Sequence, residues 1–267
     1  PGIDKIGFTG SSATGRRIAT ILGDRMARYT LELGGKSAAL ILDDYDAEAA
    51  AAELAARACD MTGQVCASLT RIIVPSGRAD AVAEAIGAAF SKVIVGDPFD
   101  PASQMGPLAT SVQRDRVESY IEKGKAAGFR LVSGGRRPAH LNRGFYIEPT
   151  VFAGVDNQSA IAQEEIFGPV LCVIPARDED DAVRLANDSI FGLNGAVFTN
   201  DADKAYSVAR RIRTGTVGQN GHLTDFTIAF GGFKQSGVGR EGGVEGLYPY
   251  LETKTVLLAG RPSHLPG

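Results

Sequence analysis

Apolar positions along this chain follow two periods. Short apolar and β-branched runs are separated by longer stretches in which apolar residues recur every three or four positions. The short runs predict strands over residues 6–9, 29–33, 38–42, 71–74, 130–132, 170–174 and 196–199, with a further strand starting at Thr216 and Val217. The longer stretches predict helices over 16–28, from Asp46 toward Gly63, and over 79–92, 111–127, 180–187 and 202–212. Gly34 and Gly35 stand between two apolar runs and predict a strand–turn–strand. Residues 97–101 and the glycine-rich 231–246 read as loops, and 253–258 as a final edge strand. Repeated alternation of strand and helix predicts an α/β fold with a largely parallel sheet.

Composition narrows the function classes. Apolar residues make up 44% and charged residues 22% of the 267 positions, the balance of an ordinary globular protein whose core needs no disulfide or metal staple. The net charge of −3 comes with no basic run, so neither nucleic acid nor a membrane surface is an expected partner. No apolar stretch is long enough for a membrane span and no signal peptide is visible, so a cytoplasmic location is expected. Cys59, Cys66 and Cys172 are scattered and odd in number, which raises the question of a reactive thiol rather than a disulfide framework. His140, His222 and His264 lie outside every motif and read as surface loop residues. No metal cluster and no Ser-His-Asp arrangement is apparent.

Three motifs carry chemistry, and each has a plainer reading. Gly10-Ser11-Ser12-Ala13-Thr14-Gly15 stands between strand and helix, where free backbone N–H groups favour an anion such as a pyrophosphate. Its spacing is not G-x-G-x-x-G, and it also reads as a simple glycine turn. In Leu31-Glu32-Leu33-Gly34-Gly35-Lys36, a carboxylate among apolar residues would have a raised pKa suited to a general base. Taken alone, the motif favours a plainer reading of Glu32, as a surface residue beside a turn. In Gly63-Gln64-Val65-Cys66-Ala67-Ser68, a thiol in a glycine-containing turn would be accessible and activated by nearby N–H groups. A buried structural cysteine is the alternative, and Cys59 and Cys172 fit it.

Taken in order, these segments resemble motifs of the aldehyde dehydrogenase superfamily. The resemblance rests on Phe8-Thr9-Gly10-Ser11, Leu31-Glu32-Leu33-Gly34-Gly35-Lys36, Gly63-Gln64-Val65-Cys66 and Glu164-Glu165-Ile166-Phe167-Gly168-Pro169. Phe230-Gly231-Gly232-Phe233-Lys234-Gln235-Ser236-Gly237 and Gly239-Arg240-Glu241 extend it over essentially the whole chain. Ser68 departs from the small apolar residue often found there. Family members are roughly twice this length. The chain is therefore expected to be the C-terminal catalytic portion, with the early strands of the cofactor domain, the adenine-ribose contacts and an oxyanion-holding asparagine lying before Pro1.

The resemblance implies a fold with a catalytic domain at about 35–236, a remnant of the Rossmann-like cofactor domain at about 1–34, and a return segment and oligomerisation tail at about 237–267. It implies oxidation of a small aldehyde to a carboxylic acid with NAD or NADP. Cys66 is then the nucleophile, passing through a thiohemiacetal and a thioester, and Glu32 is the base that activates the hydrolytic water. Gly10, Ser11 and Gly15 would meet the pyrophosphate. Glu165 would bond the nicotinamide ribose beside Phe167, Leu33 would give a backbone contact, and Gln113 would reach the ribose. No metal is implied, and a homo-oligomer is expected for the full-length form. Three other readings stand beside this one: a CoA-acylating semialdehyde dehydrogenase or a phosphate-forming reductase, against which Glu32 argues; a fragment without activity that folds or binds a partner; and a cysteine hydrolase in which the thiol and Glu32 cleave activated esters without a cofactor. The aldehyde is not fixed, because loops such as 219–227 contribute to its pocket.

Overall fold

The computed structural model describes residues 2–222, 225 and 227–264. Pro1, the three loop residues Leu223, Thr224 and Phe226, and the tail residues Leu265, Pro266 and Gly267 lie outside the described residues.

The chain enters as β1 (Lys5–Thr9) and turns into α1 (Ser12–Gly23). Ser11 caps this helix, its hydroxyl accepting from the Thr14 amide at 3.2 Å. The helix thus begins and ends earlier than the predicted 16–28, and Arg28 already opens β2 (Arg28–Glu32), which pairs in parallel with β1. Gly34 and Gly35 do not form a hairpin. They carry the chain from this small sheet into β3 (Ser37–Ile41), the first strand of a larger one.

Then follow α2 (Ala47–Cys59), β4 (Leu69–Pro75), α3 (Ala79–Phe90), α4 (Ser111–Ala126), β5 (Arg130–Ser133), β6 (Thr150–Ala153) and α5 (Ala160–Gln163). After them come β7 (Val170–Ala176), α6 (Glu179–Asn187), β8 (Phe191–Gly192), β9 (Asn194–Phe198), α7 (Ala202–Ala209) and β10 (Thr216–Gln219). The end of the chain adds β11 (Phe233–Lys234) and β12 (Gly237–Val238) inside the predicted 231–246 loop, and α8 (Gly243–Leu247), which starts within it and ends one residue beyond. The seven-stranded sheet has the order β10-β9-β3-β4-β7-β6-β5. It is parallel throughout except for β5, which runs antiparallel to β6 at the edge.

Helices cover both faces, which is why its strands read as continuous apolar runs. Leu40, Ile73 and Ile174 pack with Val117 and Ile121 of α4 and Val183 of α6. On the other face Ile41, Ile72 and Val173 pack with Leu54 of α2 and with Val82 and Ile86 of α3. Arg71 crosses this core, 2% exposed. Its guanidinium donates to the carbonyls of Lys36, Leu185 and Ala186 and to Asn157 Oδ1, at 2.8–3.0 Å. It thereby ties the start of β3 to the end of α6.

The small sheet has the order β1-β2-β12, so the C-terminal part of the chain returns to pair antiparallel with β2. Ser236 locks this return. Its hydroxyl donates to the Gly34 carbonyl at 2.7 Å and accepts from the Gly192 amide at 2.9 Å. The predicted strand at 253–258 does not form. Those residues are exposed, and they pair with no strand among the described residues.

Candidate active site

Three linkers enter three adjacent strands. Because β3, β4 and β7 are neighbours and parallel, the residues that precede them meet at one edge of the large sheet. These are Gly34 and Gly35 before β3, Cys66 before β4, and Glu165 with Phe167 before β7. The carboxyl ends of β1 and β2 supply the facing wall. Between them lies a cavity of about 640 Å³, within the range of small-molecule sites. It brings together seven residues expected at the site, Gly10, Ser11, Leu33, Cys66, Gln113, Glu165 and Phe167.

Glycines let these segments close. A Cβ on Gly35 would stand 2.3 Å from the Cys66 carbonyl oxygen. Gly63 has φ +71°, and its Cβ would lie 2.3 Å from the Gly168 carbonyl carbon. Only residues without side chains permit both contacts. Phe167 itself adopts φ +61°, an unusual conformation for a bulky residue, and keeps its ring partly exposed at the cavity rim.

Glu165 is oriented by the Gly35 amide, which donates to Oε1 at 2.9 Å. Burial pushes its carboxyl above the usual range, opposed by that bond and by Lys36. Gln113 does not present its amide nitrogen freely to the cavity. Nε2 donates to the carbonyls of Ile166 and Phe167, at 2.9 and 2.7 Å, and so supports the loop that carries Glu165.

Cys66 is half-buried. Burial, then the Glu165 carboxylate, pushes its thiol up, while the N–H groups of Ala67 and Cys66 pull the other way. The backbone groups expected to activate the thiol are in place, and burial outweighs them. Cys59 is pushed up to about 12 by burial, and Cys172 is raised for the same reason.

Glu32 and Gly15 stand behind the cavity wall rather than on it. Gly15 is buried beneath Leu33, whose Cδ2 would be 2.6 Å from an added Cβ. Glu32 is 2% exposed, and neither carboxyl oxygen has a hydrogen-bond partner. Its Oε1 would lie 2.6 Å from a Cβ on Gly231. Burial first and Glu241 second raise its pKa to about 8, against a lowering by Arg240. Its charge also acts on the Cys66 thiol.

Sequence reasoning quoted Thr9, Gly34, Gln64 and Val65 within the motifs but gave them no role, and it missed Met61 and Arg116 on the cavity wall. Arg116 follows Gln113 by three positions on α4, so helical spacing was the signal that could have found it. A second cavity, of about 470 Å³, shares Met61 and Val65 with the first and reaches His222. His222 is therefore half-buried, not the surface residue expected, and burial lowers its pKa. His140 and His264 are exposed. Among the described residues, no group of three or more His, Cys, Asp or Glu side chains could hold a metal, and no helix is long and apolar enough to cross a membrane.

Residues 1–256 match the model of the aldehyde dehydrogenase family. The chain is 49% identical over 260 residues to a geranial dehydrogenase of Castellaniella defragrans, covering 97% of this chain and 54% of that protein. It is 46% identical over 255 residues to a betaine aldehyde dehydrogenase of Brucella melitensis, covering 94% and 52%. Among solved structures it resembles a Mycobacterium tuberculosis aldehyde dehydrogenase complexed with NAD+, with a TM-score of 0.94 at 48% identity, over 99% of this chain and 54% of that one. The chain thus spans about half the length of the relatives it matches.

Proposed function

Since this chain belongs to the aldehyde dehydrogenase family, we infer that it supplies the nucleophile, the base and the nicotinamide-side wall for oxidation of an aldehyde to a carboxylic acid with NAD+ or NADP+. The convergence of Cys66, Glu165 and the 10–11 turn in one cavity carries this reading.

The cavity suits the nicotinamide half of such a cofactor. Its floor is bare backbone at Gly34, where a Cβ would stand 2.6 Å from Glu165 Oε2. Glu165 presents a carboxylate fit to accept from ribose hydroxyls, and Phe167 a ring edge beside them. Gly10 and Ser11, at the mouth of α1, suit a phosphate, with Gly15 allowing the close packing behind them. When bound, the cofactor accepts the hydride that the substrate carbon gives up.

This chain's own residues do the rest. Cys66 Sγ, as thiolate, bonds to the aldehyde carbon, and the carbonyl π electrons move to oxygen. The N–H groups turned toward Sγ, those of Cys66 and Ala67, lie where negative charge needs support. Loss of hydride leaves a thioester on Cys66. Glu32, its pKa raised to about 8, takes a proton from the attacking water in its ionised form, the C–S bond breaks, and the thiolate returns as the acid leaves. For that step the Glu32 carboxyl turns from its place beside Gly231 toward the cavity.

Three free thiols suit a reducing, cytoplasmic setting. The separation of the small sheet from the seven-stranded one supports a division near residues 34 and 236. The exposed apolar Val256, Leu257 and Leu258 suit a tail that joins a homo-oligomer.

Geranial or betaine aldehyde, each with NAD+ or NADP+, tests the reading on the Glu32→Gln variant, which forms the thioester but does not hydrolyse it. Peptide mass spectrometry is expected to find the acyl group on Cys66. An adduct on Cys59 instead, or none with a pairing that the wild type oxidises, overturns it.

A further inference from the structure

The turn that carries Cys66 is held at two carbonyls. The Cys66 carbonyl lies against the bare backbone of Gly35. The Ala67 carbonyl accepts from Asn194 Nδ2 at 3.0 Å. The same Nδ2 stands 2.8 Å from His222 Nδ1. An amide nitrogen has two hydrogens to give and accepts nothing. One goes to Ala67, so the other goes to the ring, and Nδ1 is the acceptor. The imidazole that fits is neutral, with its proton on Nε2.

Asn194 has little freedom to do otherwise. It is 1% exposed, at the start of β9. Its Oδ1 is buried without a partner, so both of its bonds come from the one nitrogen. Turning the amide over would set Oδ1 against the Ala67 oxygen and break the hold on the turn.

We propose that Asn194 is a positioning residue for the Cys66 turn, and that neutral His222 keeps Asn194 in the orientation that does so. A proton on Nδ1 would place donor against donor. The amide then turns over to accept from the ring, and the Ala67 carbonyl is released. With it goes the alignment of the N–H groups that favour the thiolate. Reactivity of the nucleophile is thereby made conditional on a histidine that takes no part in the chemistry.

The surroundings of His222 keep the link closed at neutral pH. Burial and the nearby Arg57 guanidinium both disfavour the imidazolium. Asp60 lines the same cavity, and the Glu53 carboxylate lies against Gly221, but both are bonded to Arg57. Asp225 is exposed to solvent. The link therefore opens only on the acid side of the ordinary histidine range, below a pH of about 6.5.

The inference rests on Cys66 being the reactive thiol, and the experiment separates the two ideas. 2,2′-Dipyridyl disulfide exchanges with thiols in acid as well as neutral solution and releases a coloured thione. With this whole chain, the fast phase is expected to show an acid inflection besides that of the thiol. Asn194→Ala should slow the fast phase about fivefold at neutral pH, the worth of one buried hydrogen bond, and erase the inflection. His222→Phe, which fills the space but accepts nothing, should show the slow rate at every pH. His222→Asn, which sets an acceptor oxygen near the Nδ1 position and does not titrate, should lose the inflection and react faster than His222→Phe. Should Asn194→Ala not fold, the two His222 variants decide alone. A wild-type rate with the inflection intact in His222→Phe or in Asn194→Ala overturns the inference. A fast phase that survives Cys66→Ala overturns the assignment of the nucleophile as well.

Discussion

Gly63 and Gly168 meet through bare backbone, with no room between them for a methyl group. The loop of the thiol and the loop of Glu165 are therefore one interlocked unit. Gly63→Ala would add both this clash and an unfavourable positive φ. A loss of about 2–4 kcal/mol is expected. Urea unfolding measures it, and a change near zero would show that the two loops separate easily.

Selective labelling tests the ranking of the thiols. Cys66 is half-buried beside a cavity, whereas Cys59 and Cys172 are buried in the core. Iodoacetamide at neutral pH, followed by peptide mapping, should modify Cys66 first. The rate should climb with pH through the ordinary thiol range and beyond, because burial raises the Cys66 thiol. Equal labelling of Cys59 would contradict the ranking.

Glu32 should make the fold less stable as pH rises. Its carboxyl titrates near 8 in the folded chain and near 4.5 when unfolded. Below 4.5 both states hold the proton and stability is complete. Between 4.5 and 8 the unfolded state gives it up and the folded state does not, so stability declines with increasing pH. Glu32→Gln does not titrate. Its melting temperature relative to the wild type should therefore rise across this window and level off above it. A constant difference from acid to alkaline solution would show that Glu32 ionises freely in the fold.

Ser236→Ala removes two buried hydrogen bonds and leaves Gly34 O and Gly192 N without their partner. The expected cost is about 1–3 kcal/mol. Hydrogen exchange should localise the loosening to β12 and the Gly34 linker. Protection unchanged there would remove Ser236 from its role as the lock.

The large sheet was legible because strands buried on both faces leave unmistakable apolar runs. β6 escaped notice because Thr150–Ala153 is four residues long and follows a proline. Its partners come from distant β5 and β7, and no local pattern announces them. Residues 253–258 erred in the other direction. Thr253, Thr255 and Val256 have the right residue types, but a strand exists only where an edge accepts it, and among the described residues none does. At the site, the glycine-containing turn pointed to Cys66 and the family resemblance to Glu165, and the structure puts each at the entrance to a strand. The strand order that makes those entrances neighbours is not written in any one motif. Nor is the environment of Glu32, since Gly231, Arg240 and Glu241 reach it from the far end of the sequence. The link from Ala67 through Asn194 to His222 likewise joins three segments that no spacing rule connects.

The return of β12 to β2 also sets an order in time. A ribosome releases residues 37–219, which contain every strand of the large sheet, before it releases Gly237 and Val238. Domains fold as their chain emerges. During synthesis, then, the cysteine turn can take shape before Gly231, Arg240 and Glu241 come to lie beside Glu32. The environment that raises the Glu32 pKa is complete only when this last segment closes beside it, so of the groups around the cavity this carboxyl is the last to reach its final setting.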